Sequence, residues 1–140
     1  MIDFKTLMNT SEYDFLRTNK RLGKRIILLG NCGVLDNAIP DCGIIIPKRA
    51  IRDEGTSYHY APASDYIDVN TSYIELFQTI LEQHGYTYTT GTTWTTDAFY
   101  RETRGKIARR KQMGAICVEM ECAAMQAMCK EGEIDKEHIS

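Results

Sequence analysis

The sequence predicts an α/β domain built on a mainly parallel sheet flanked by helices. Two observations carry that prediction. "RIILLG" (25–30), "GIIIP" (43–47) and "AICVEM" (115–120) are nearly continuous apolar runs bounded by turn formers. Such runs suit strands buried on both faces, the parallel-sheet kind. Between them lie segments with helical spacing, and alternating strands and helices fold as α/β layers.

The elements follow in order. "SEYDFLRTNKRL", entered at Thr10 or Ser11 and closed by Gly23, reads as a short helix over residues 10–22. The first strand covers 25–30, and "NCGVLDNAIPDCG" behind it is rich in turn formers. The second strand covers 43–47, and "RDEGTSYHYAPASDY" after it is a long polar and aromatic loop. In a compact domain such loops are often functional. Tyr73, Ile74, Phe77, Ile80 and Leu81 recur at three and four residues, so 70–84 is a helix stopped by Gly85. "YTYTTGTTWTT" has the threonine and aromatic content of a strand. "RGKIARRKQMG" is a basic helix ending at Gly114, and "ECAAMQAMCKEG" is a small-residue helix that follows the last strand.

Composition excludes several function classes. With 140 residues the chain suits one domain, and its net charge is −2. A nucleic-acid module carries a basic excess that is lacking here. No run approaches the roughly 20 apolar residues of a membrane span. "MIDFKTLMNT" lacks the basic-then-apolar order of a secretory signal, so a cytoplasmic protein is expected. Five cysteines without CxxC spacing read as free thiols, and three histidines without HExxH give no metal site.

In open α/β sheets ligands gather at the carboxyl ends of strands. Four polar segments are expected there: "GNCG", "RDEGTSYHY", "TTDAFYRET" and "EMEC". Asn31, Cys32 and Gly33 form either a plain turn or a backbone cradle for an anion. His59 reads as a structural hydrogen-bonding group. Phe99 and Tyr100 either stack on a base or fill the core. Lys106, Arg109, Arg110 and Lys111 read as a solvated helix face. Glu119 and Glu121 flank Met120, and their carboxylates either face water or accept from a sugar diol.

"GNCGVL", "DCGIIIPKRAIRDEGTSYHYAP", "GTTWTTDAFYRET" and "GAICVEMECAAM" stand in this order and at this spacing. Together they resemble the nucleoside phosphorylase superfamily, in the branch of purine nucleoside and uridine phosphorylases. The resemblance implies a three-layer fold with a mixed, mainly parallel sheet, incomplete at both ends. It divides a single domain of 1–140 into a non-family segment at 1–24, a phosphorylase-like core at 25–129 and a polar tail at 130–140. It also implies phosphorolysis of the N-glycosidic bond of nucleosides, with inorganic phosphate as co-substrate, no further cofactor, and a homo-oligomer.

By the same resemblance Glu121 holds the ribose hydroxyls, Met120 packs on the sugar and Glu119 is a neighbouring wall. Phe99 and Val118 face the base, and Asn31, Cys32 and Gly33 form the phosphate loop. The chain departs from the family in several places. Asn31 stands where a serine or threonine is usual, and Leu28 stands where many members have an arginine. Thr103 and Gly105 occupy the places of the uracil-reading glutamine and arginine, which points toward purines. The aspartate that acts on purine N7 has no counterpart, since Asp135 lies in a different context. Impaired catalysis is therefore expected, and the alternative is an inactive remnant that binds nucleosides or serves assembly.

Overall fold

The computed structural model describes residues 28–39, 43–70 and 74–137, the last seven of these by backbone alone. The helix expected at 10–22 and residues 25–27 of the first expected strand lie outside this range. Leu28, Leu29 and Gly30 form no strand.

Among the described residues five strands make one open sheet: β1 (Gly33–Val34), β2 (Ile44–Asp53), β3 (Tyr66–Asp68), β4 (Tyr88–Thr96) and β5 (Ala115–Glu119), in the order β1-β5-β4-β2-β3. β2, β4 and β5 run parallel, and the short β1 and β3 pair antiparallel at the two sides. The sheet is therefore mixed and mainly parallel. Among the described residues three helices accompany it: α1 (Ile74–Gln83), α2 (Arg104–Gln112) and α3 (Cys122–Glu137). Two 3₁₀ turns, Thr56–His59 and Phe99–Arg101, follow β2 and β4.

Alternation along the strands sorts the core into layers. Ala50 and Ile67 pack with Ala123 and Ala127 of α3, where small side chains let helix and sheet approach closely. Ile51, Trp94, Ala115 and Val118 form the cluster on the opposite face, joined by Ile107 and by Met113 at the end of α2. Ile74 and Leu81 seat α1 on Ile46. Trp94, wholly buried at the centre of β4, anchors the α2 side. Burying a side chain of that size removes about 150–250 Å² from water.

β2 extends six residues past the end expected at Pro47. Its pairing with β4 shifts register between Pro47 and Arg49, and β3 pairs only with residues 49–51. Pro47 therefore sits at an irregularity, and among the described residues β3 does not pair with it. A residue without an N–H is tolerated in such a place. After α2 the chain turns at Gly114, whose φ of +96° favours glycine.

Candidate functional site

The parallel strands end together. Register pairs Asp53 with Thr96 and Thr95 with Glu119, which places the tips of β2, β4 and β5 on one edge. β1 enters this edge from the other direction, with Gly33 opposite Val118. "GNCG" thus leads into a short antiparallel strand and does not close a long one. A Cβ on Gly33 would stand 3.0 Å from Val118 Cγ1, close enough that the valine side chain would have to give way.

Glu119 closes β5 and opens α3. Its Oε1 accepts from the hydroxyls of Thr95 (2.5 Å) and Thr93 (3.2 Å) on β4. Its Oε2 accepts from the backbone N–H groups of Cys122 (2.6 Å) and Glu121 (2.8 Å). The carboxylate thus supplies acceptors to a helix N-terminus that would otherwise carry orphan donors. Burial pushes the Glu119 carboxyl up, against the pull of these four hydrogen bonds. Thr95 Oγ1 also accepts from the Ala123 N–H at 3.1 Å, tying the same turn to β4.

Glu121 has a different setting. It is exposed, and among the described residues its carboxylate accepts from the adjacent Met120 N–H at 3.3 Å. Met120 is itself 43% exposed. Phe99 is also exposed and meets Tyr100 edge to face, with ring centroids 5.3 Å apart. Val118 is buried in the Trp94 cluster. Asn31 and Cys32 are exposed, and Cys32 lies beside Cys117. The Cys117 thiol, which donates to Thr93 Oγ1, is pushed up to about 12, mainly by burial. The strand-tip edge therefore brings together "GNCG", the Phe99 turn and "EME". It leaves Glu121, Met120, Phe99, Asn31 and Cys32 open to a ligand, while Glu119 and Val118 are engaged within the protein.

The sequence model of the phosphorylase superfamily matches residues 15–135. The chain belongs to the phosphorylase superfamily. AMP nucleosidase from Bacteroides thetaiotaomicron is 28% identical with a TM-score of 0.64, over 74% of this chain and 46% of that one. A Plasmodium knowlesi homologue of the P. falciparum PNP superposes at TM-score 0.72 with 18% identity, over 86% of this chain and 51% of that chain. A uridine phosphorylase from Vibrio fischeri gives 0.72 with 21% identity, over 86% and 52%. These last two likenesses show the shared fold. An uncharacterized protein of Acanthamoeba polyphaga mimivirus is 29% identical over 106 residues, which are 76% of this chain and 40% of the viral one. The superfamily chain thus spans about half the length of the solved relatives.

Two polar clusters in this phosphorylase-superfamily chain carry no motif in the sequence. Asp53 at the tip of β2 accepts from Trp94 Nε1 (2.9 Å) and pairs with Lys106 Nζ (2.8 Å) and Arg110 (3.1 Å). Lys106 and Arg110 also lie over the Trp94 ring. Burial pushes the Asp53 carboxyl up, but the Lys106, Trp94 and Arg110 contacts outweigh it and leave the group low. Lys106 and Arg110, expected on a solvated helix face, are half-buried pairing groups, whereas Arg109 and Lys111 are exposed. The second cluster follows β2. Buried Arg52 donates to Ser57 Oγ, Ser64 Oγ and the carbonyls of Ala61 and Pro62, and the Ser57 hydroxyl donates to Glu54. The Ser57 hydroxyl is thus consumed in bracing the loop. His59 is exposed. Among the described residues no cluster of His, Cys, Asp and Glu could hold a metal ion, and no helix is long and apolar enough to cross a membrane.

Proposed function

We propose that the chain cleaves the N-glycosidic bond of a nucleoside, preferring purines, with inorganic phosphate as co-substrate and no other cofactor. A phosphate oxygen bonds to C1′ as the C1′–N bond breaks. The electron pair leaves with the base, which then takes up a proton. Positive charge builds on the ribose between these events, so an anion bound to its 2′- and 3′-hydroxyls stabilises that state more than the substrate. Glu121 is that anion in this reading. Met120 packs on the sugar, Glu119 holds the turn that presents them, and Phe99 and Val118 face the base. Asn31, Cys32 and Gly33 receive phosphate. The observation that carries the proposal is the contrast at "EME": Glu119 is fully engaged within the protein, while Glu121 stands exposed at the strand-tip edge of a superfamily fold.

A second reading, a chain that binds nucleosides without turning them over, is favoured by the Asn31–Gly33 loop. Leu28 and Asn31 bring no cation to it, and charge-assisted contacts are the strong ones for phosphate. Incubation with inosine, adenosine, guanosine and uridine, with and without phosphate, separates the readings by chromatography of free base. Phosphate-dependent release supports the first. Release without phosphate means hydrolysis. No release with retained binding supports the second. We also propose that copies of the chain associate.

A further inference from the structure

We propose that a cleft beside the start of α2 binds a phosphate dianion carried on a small organic molecule. This cleft, of about 570 Å³, is lined by Arg101, Thr103, Gly105, Lys106, Arg109 and Arg110. Four of those six residues are cations, and no carboxylate is among them. Lys106 and Arg110 share the single Asp53 carboxylate, whereas Arg101 and Arg109 pair with no carboxylate among the described residues. Arg110 Nε is buried without a hydrogen-bond partner. A buried donor left in that state is costly to keep. A Cβ at Gly105 would meet nothing within 4 Å, so the cleft is open at that position.

The cleft opens to solvent beside Gly105, so a group that carries the phosphate can extend out of it. Planar guanidinium groups match phosphate oxygens two at a time, and the positive end of the α2 dipole adds to their field. The Asn31–Gly33 loop lacks such cations, so the two places make separate claims on phosphate. This inference stands whether or not Glu121 binds ribose.

Calorimetric titration of the full chain with AMP, adenosine and inorganic phosphate provides the test. AMP is expected to bind at least about tenfold more tightly than adenosine. The R101A/R109A double variant, whose two positions are exposed, should lose that preference with an unchanged circular dichroism spectrum. R104A/K111A removes two charges from the same helix outside the cleft lining and should keep it. Inorganic phosphate binding as tightly as AMP would support the anion site and make free phosphate its source. Equal affinity for AMP and adenosine, with no binding of inorganic phosphate, would overturn the proposal. So would equal weakening in both double variants, or loss of phosphate binding in N31A with retention in R101A/R109A.

Discussion

At Glu119 four donors converge on one carboxylate, while two residues later the exposed Glu121 carboxylate accepts, among the described residues, from the neighbouring Met120 N–H. Spacing alone does not separate the two, because both are glutamates beside Met120 in an apolar run. What separates them is the position of the strand end: Glu119 still pairs with Thr95 of β4, and Glu121 has passed into the turn. That assignment depends on a neighbouring strand and could not be read locally. Substitution should divide the pair. Glu121→Ala is expected to abolish nucleoside binding and leave stability within about 0.5 kcal/mol, as surface changes usually do. Glu119→Ala removes a helix cap and an inter-strand acceptor together, with an expected loss of about 2–3 kcal/mol in chemical denaturation. Unchanged nucleoside affinity in Glu121→Ala would remove it from the ribose site.

Among the described elements, β2 and β5 were legible from continuous apolar runs, α1 from its three-and-four spacing, β4 from its threonine and aromatic content, and α2 and α3 from the basic and small-residue stretches on either side of β5. β1 and β3 were not, since runs of two and three residues have no period to detect. Their existence rests on pairing, Gly33–Val34 with Val118–Cys117 and Tyr66–Asp68 with Arg49–Ile51. The "RDEGTSYHYAPASDY" loop likewise hid a 3₁₀ turn braced by Arg52, Glu54 and Ser57. The join between β2 and α2 was equally hidden, because 53 residues separate Asp53 from Lys106. It predicts a pH dependence. The Asp53 carboxyl is depressed when folded, so its contribution is fully present above the unfolded value near 3.8 and is lost as pH falls through the lower folded value. Asp53→Ala should cost about 2 kcal/mol at neutral pH. The gap from the parent should shrink when both are unfolded in acid, and a pH-independent gap would count against the ion pairs.

For the whole molecule, the sheet ends, among the described residues, in the short β1 and β3. Short edge strands discourage pairing with another chain. A better basis for the proposed association is α1, where Leu76, Phe77 and Ile80 are exposed while Ile74 and Leu81 face the core. Light scattering on the purified chain should give a mass above 16.0 kDa. Leu76→Lys with Phe77→Lys should then lower it, and a parent that runs as a single monomer would end the idea. The Glu119 clamp bears on motion. The amide hydrogens of Glu121 and Cys122 are held by a carboxylate whose other oxygen is held from β4, so fraying of the first turn of α3 breaks a network that also reaches β4. Those hydrogens should exchange with solvent as slowly as the sheet itself opens. The proposed ribose-binding turn would then share its rigidity with the core, and adjustment to an incoming ligand would fall to the exposed Phe99 turn and the Asn31 loop.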